Sequence, residues 1–365
     1  MRGSQPLLQL ANEGVSRWLA GFGRHDLIDG SLRNRVRTGE ITGVAHGPGA
    51  LAGAVEAGFH NGRLYELRHR AAPAGEGVRE LFAADARTAT ALLAPVHEHT
   101  EGRDGWVTLH PDPDLTVDTL DTALALWDSV NRPNLLIGVP STEAGLHASV
   151  ELLSRGIGVD FGPVLTVERY DAVAQAHFTG LERARHAGRD LSAILAVISV
   201  PITPMVTGLR SACPRTPPVP CDTAALAGAR LVFRRYEERL TENRWRLLVH
   251  DGARAPRIRW TGLGPPPGPA PSPPRSRTHY VEELVVWGAI STLSRHTLEA
   301  LTHHGHPRGD TVTNTHREAE HLLETLEETG VEHSTVAEAV TAELSTQDRR
   351  RWRRLRENIG RVLSD

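Results

Sequence analysis

Short apolar runs alternate along this chain with longer stretches in which apolar residues recur at helical spacing, and the alternation persists from end to end. Buried parallel strands read as short continuous apolar runs, and each needs a crossover helix to reach the next, so the pattern predicts a parallel βα protein. Eight runs qualify as strands: Val15–Ala20, Ile41–His46, Trp106–His110, Leu135–Val139, Ile157–Phe161, Ile194–Val200, Ile258–Gly262 and Gly288–Leu293. Eight is the number that closes a barrel. Helices are expected between them over Val78–Leu93, Thr116–Val130, Glu143–Arg155, Val167–Ala187 and Thr223–Leu240. Thr142 and Thr166 stand where N-caps belong, and Gly156 and Gly188 where the chain must turn out of a helix.

Two segments interrupt the regularity. Cys213–Cys221 (CPRTPPVPC) follows the sixth run and Gly264–Pro274 (GPPPGPAPSPP) the seventh. Proline-rich tracts can link domains. Both of these fall where the loops at a barrel's mouth belong, and they read as rebuilt mouth loops.

Composition narrows the field. With 365 residues, 39% hydrophobic and 23% charged, the chain reads as a soluble globular protein large enough for one barrel or two ordinary domains. A formal charge of −3 gives no global positive field for nucleic acid. No apolar run reaches the length of about 18 residues that a membrane span needs. Met1–Leu10 lacks the charged and apolar regions of a signal peptide, which predicts a cytoplasmic protein. Cys213 and Cys221, the two cysteines, match no zinc or redox motif and read as reduced loop thiols rather than a disulfide. All 41 basic residues are arginine. An arginine stays protonated and is no amine nucleophile, so imine chemistry, which needs a lysine that can lose its proton, has no side chain to use.

Several stretches resemble bacterial transaldolase, particularly its actinobacterial type. Gly105-Trp-Val-Thr-Leu109 is similar to the segment leading to that family's catalytic glutamate, and Arg132-Pro-Asn-Leu-Leu-Ile137 to the strand leading to its lysine. Val139-Pro-Ser-Thr142 with Gly145, Val167-Glu-Arg-Tyr170 with Gly180-Leu-Glu-Arg183, Tyr280-Val-Glu-Glu-Leu284, and Thr297-Leu-Glu-Ala300 with His304-Gly305 extend the match in the family's order. The resemblance covers roughly residues 5 to 345. It implies an α/β fold, a transaldolase-like (β/α)8 TIM barrel of the class I aldolase superfamily over residues 1–345, with a C-terminal helix near the mouth; the residues themselves make 346–365 a basic helix, of an arginine density the family lacks.

At the positions where the family keeps its chemistry, this sequence differs. The resemblance aligns the family's lysine with Gly138, its first-strand aspartate with Ala20 and its third-strand glutamate with His110. The second-strand Ser-Asn-Pro-Thr reads His46-Gly-Pro-Gly49, and the fifth-strand Asn and Thr align with Asp160 and Gly162. The positions that grip phosphate in the family read Thr203-Pro204 and Gly262-Leu263, which supply no cation, and proline lacks an N–H.

The replacements still contain reactive groups. His46 and His110 are expected side by side at the mouth, on neighbouring strands, with Asp160 opposite. His110 is the first choice for general acid or base because histidine titrates near neutrality; the bland alternative is that it only fills the space a glutamate left. The same three residues are metal-ligand types, although nothing in their spacing is diagnostic, and no metal or cofactor is expected. Ala20, Gly138, Thr203 and Gly262 would line the binding site. The His303-His304-Gly305-His306 cluster reads as a helix end, since the family shares His304-Gly305, and Asp112 and Asp114 as turn residues. The arginine-rich tail Asp348–Arg361 could attract an acidic protein partner or simply present a solvated face.

Two expectations follow. One is an enzyme that has left transaldolase chemistry for an imine-free acid–base reaction, a cyclisation, isomerisation or dehydration of a small non-phosphorylated metabolite in specialised metabolism. The other is a catalytically silent protein that binds or scaffolds a partner.

Overall fold

The structure, a computed structural model, describes residues 4–114, 118–214, 216–266 and 277–364. Thr116 at the expected start of one helix, and most of the Gly264–Pro274 tract, lie outside the described residues.

The eight apolar runs form eight parallel strands: β1 (Ser16–Ala20), β2 (Gly43–His46), β3 (Val107–Leu109), β4 (Leu135–Pro140), β5 (Gly158–Gly162), β6 (Ala196–Pro201), β7 (Arg257–Thr261) and β8 (Ile290–Leu293). They hydrogen-bond in sequence order and close when β1 pairs with β8. This is a (β/α)8 barrel, with helices between the strands. The expected helices appear, several of them longer or shifted at their ends: Ala74–His99, Thr119–Val130, Glu143–Ser154, Val167–His186 and Cys221–Arg239. The hydroxyls of Thr142 and Thr166 accept hydrogen bonds from the N–H groups of Gly145 and Arg169, as N-caps do. Gly156 and Gly188 both adopt positive φ at the ends of these helices.

Strand alternation sorts the side chains into two layers. Leu19, Val44, Leu109, Ile137, Val159, Phe161, Ile198 and Trp260 face the helices and join the main core. Trp18, Leu136, Val197 and Ile290 form a smaller cluster with Trp106 and Leu195. Polar residues of the strands that share their alternation, Asp160, Ser199, Arg257 and Arg259 among them, are likewise buried.

The basic tail is the second half of one long helix, His333–Ser364, so residue 346 falls inside a continuous element. Its Trp352, Leu355 and Ile359 are buried, while Arg349, Arg350, Arg351, Arg353 and Arg354 are exposed. Asp112 and Asp114, just past β3, form the expected turn, with the Asp114 N–H donating to Asp112 Oδ1 at 3.0 Å. They also anchor this helix: Arg356 pairs with both, and Arg349 lies 3.7 Å from Asp114. His303 and His304 close the helix Arg295–His304, and Gly305 follows as its cap. No helix among the described residues is long and apolar enough to cross a membrane.

Candidate active site

Strand β4 contributes Gly138, whose Cα pairs in register with Asp160 on β5. The carboxylate of Asp160 is fully buried and held on both oxygens. Ser199 of β6 donates to Oδ1 at 2.6 Å, and Arg259 of β7 meets Oδ2 at 2.6 Å. Arg259 Nε also donates to the Ser199 hydroxyl at 2.9 Å, which closes a three-strand network. The Arg259 guanidinium lies 5.6 Å from the Trp18 ring, a cation–π contact, and its Nη1 has no hydrogen-bond partner among the described residues.

His110 follows β3 directly. Its Nε2 stands 3.8 Å from Asp160 Oδ2, and 40% of its side chain is open to solvent. Its ring occupies the space beside Gly138: a Cβ built on that glycine would lie 2.1 Å from His110 Nδ1. Only a residue without a side chain leaves room for the imidazole there. Desolvation lowers the His110 pKa; Asp160 opposes the shift, Arg259 adds to it, and Asp348 opposes it. His110 is therefore largely neutral at neutral pH, able to accept a proton.

Asp348 comes from the long C-terminal helix and interacts electrostatically with His110. Burial raises its carboxyl pKa, which His110 and Arg351 partly offset. Sequence reading assigned that helix to a tail and missed this residue. The resemblance placed a C-terminal helix near the mouth, but nothing local in a lone acid heading an arginine run says that Asp348 meets His110 there.

The expected pairing of His46 with His110 does not form. His46 aligns in register with Leu109, and in parallel strands such partners share a face, so its ring turns toward the helices with Val44. It is stacked between Phe22 at 4.6 Å and Phe82 at 4.5 Å, and Trp352 packs edge-on against Phe82. Asp85 lies 3.9 Å from His46 and 3.2 Å from His60, and Arg24 meets its other oxygen at 3.1 Å. Burial pushes the His46 pKa down to about 4, so the ring stays neutral. A metal site from His46, His110 and Asp160 is therefore not assembled. No cluster of three or more His, Cys, Asp or Glu suited to a metal occurs among the described residues.

Of the expected binding positions, Ala20 ends β1 beside Ala45 of β2, two small residues at the rim. Thr203 and Gly262 join each other: the Thr203 N–H and hydroxyl both donate to the Gly262 carbonyl, at 3.0 and 2.5 Å. Gly262 has φ +62, a left-handed conformation that glycine adopts freely. The Thr203 hydroxyl also reaches the Gly264 carbonyl. These two positions stitch the first turn of the helix Ile202–Ala212 to the segment after β7.

The match to known proteins runs along nearly the whole chain. Residues 23–208 match the family model described as transaldolase/fructose-6-phosphate aldolase. A protein named transaldolase from Thermobifida fusca is 36% identical over 370 residues, covering 98% of both chains. One from a Parafrankia species is 35% identical over 384 residues, covering 99% of this chain and all of its own. One from Mycobacterium bovis is 34% identical over 339 residues, covering 90% of each. These matches overturn the expectation of an enzyme that has abandoned transaldolase function for cyclisation, isomerisation or dehydration of a non-phosphorylated metabolite. They equally overturn the silent-scaffold alternative, since proteins so similar over such length carry the enzyme's name. With barrel closure, strand order and full-length similarity in agreement, the chain belongs to the transaldolase/fructose-6-phosphate aldolase family.

Proposed function

We propose that this chain performs the aldol exchange for which its relatives are named, moving a ketose fragment between sugar-like carbonyl compounds, with His110 as its proton-transferring group. The observation that carries this is the position of His110: solvent-accessible at the mouth, pressed into the space beside Gly138, and flanked by Asp160 and Asp348.

The chain contains no lysine, so none of its side chains can store the electron pair of the broken bond as an enamine. The proposed step uses the carbonyl oxygen instead. Neutral His110 takes the proton of the hydroxyl on the carbon β to the ketone, the bond between the α and β carbons breaks, and the β carbon leaves as an aldehyde. The electron pair moves onto the ketone oxygen, giving an enediolate that accepts a proton from the Asp348 carboxyl, whose raised pKa suits it to donate. A second aldehyde then takes up the fragment by the reverse sequence. Asp160, locked by Arg259 and Ser199, fixes the orientation of His110. The same reading places the chain in the cytoplasm, where the Cys213 and Cys221 thiols would stay reduced.

The test is incubation with fructose 6-phosphate and erythrose 4-phosphate, followed by product analysis with and without borohydride. Turnover that His110→Ala lowers about a thousandfold, with no protein-bound reduced adduct, is the expected result. Absence of turnover under these conditions removes the reaction, and full activity in His110→Ala removes the assignment of His110.

A further inference from the structure

A cavity of about 520 Å³ opens at the other end of the barrel, among the loops that lead into the strands. Its lining comes from the connections preceding β3, β4, β5, β6 and β7, so it lies at the N-terminal face, remote from the mouth. Its volume is in the range of small-molecule sites. Trp106 and Trp127 supply aromatic surface, and Arg132, Arg254 and His97 supply donors.

The polar groups are unevenly satisfied. Neither Arg132 nor Arg254 forms a salt bridge among the described residues, although Arg254 interacts electrostatically with Asp190. Arg132 donates to the carbonyl of its neighbour Asn131 at 3.1 Å, and Arg254 to the carbonyl of Glu101. His97 Nε2 is buried without a hydrogen-bond partner among the described residues. His97 and Arg254 converge on Gly102, from whose built Cβ they would stand 3.3 and 3.2 Å away. Desolvation, then Arg254, lowers the His97 pKa, so the positive charge here comes from the two guanidiniums. Glu101 also lines the cavity, and it and Arg132 are both exposed. Trp106 is fixed as the inner wall, its indole N–H donating to the Gly102 carbonyl at 2.8 Å.

Aromatic faces beside guanidiniums that donate only to backbone carbonyls are complementary to one kind of ligand. We propose that this basal cavity binds a small aromatic anion, its ring against Trp127 and a carboxylate or phosphate group held by Arg132 and Arg254. The site is independent of the aldol reading, because it shares no residue with the mouth.

The full-length chain is titrated calorimetrically with adenosine 5′-monophosphate and with 4-hydroxybenzoate, which separate a phosphate from a carboxylate; adenosine and inorganic phosphate serve as the uncharged and non-aromatic controls. At least one aromatic anion is expected to bind below about 1 mM, with both controls at least tenfold weaker. Arg132→Gln, which removes only a bond to the adjacent residue, and Arg254→Gln should each weaken it about tenfold. His110→Ala should bind as the parent chain does. Failure of both anions to bind, equal binding of a control, undiminished binding in the double arginine variant, or loss of binding in His110→Ala would each overturn the proposal.

Discussion

Asp160 and Arg259 meet at 2.6 Å inside the barrel although their strands are not neighbours, and Ser199 on the strand between them bonds to both. Both charges are almost wholly removed from water, so the pair is held by mutual neutralisation and by the serine rather than by solvent. It ties β5, β6 and β7 together directly beneath His110.

Removing one member of such a pair leaves the other buried and uncompensated. Asp160→Asn is expected to lose roughly 3–5 kcal/mol of stability. Replacing both residues together, as Asp160→Leu with Arg259→Met, should cost much less. Denaturant unfolding of the three proteins measures this, and a double variant no more stable than the single one would contradict it.

Gly138→Ala places a methyl group where the His110 ring sits. The imidazole must move, and aldol turnover should fall on the order of a hundredfold. In a double-mutant cycle, His110→Ala with Gly138→Ala should be no worse than His110→Ala alone. Additive losses would show that Gly138 acts on something other than His110.

Three buried histidines make the protein acid-sensitive. Burial lowers the pKa of His46 to about 4, His177 to about 3 and His333 to about 4. In the unfolded chain each titrates near 6.5, so below that pH the unfolded state binds more protons and stability falls as pH drops toward 4. Each fully buried ring contributes about 2 kcal/mol of loss between pH 6.5 and 5. His177 makes no side-chain hydrogen bond among the described residues and sits against Phe178 and Trp245, so His177→Phe should flatten the slope without destabilising the fold at pH 7. Thermal unfolding at pH 7 and pH 5 decides it; an unchanged slope would sink the assignment.

The C-terminal helix reaches the mouth through Arg356 and its aspartate partners Asp112 and Asp114. Arg356→Ala should loosen that attachment and, through misplacement of Asp348, lower kcat several-fold with a smaller change in KM. Asp348→Asn should lower kcat without the loss of thermal stability seen in Arg356→Ala. Wild-type kcat in both variants would remove the helix from the reaction.

The sequence by itself determined the barrel and one feature of its chemistry. Eight apolar runs, the Thr142 and Thr166 caps and the glycines that end their helices are local signals, set within a few residues by propensity and hydrogen bonding. The absence of lysine is a fact of composition that no folding changes. Alternation along β2 also carried a signal that was available, since Val44 and His46 lie two residues apart and share a face; it points His46 away from the mouth. Other features depended on positions distant in sequence. Arg259 finds Asp160 across an intervening strand, His110 takes its place because residue 138 has no side chain, and Asp348 approaches it only after the last helix folds back over the barrel. Such contacts are fixed by closure of the sheet and by packing of Trp352, Leu355 and Ile359, because burying those side chains decides where the helix lies, and with it which charges face the mouth.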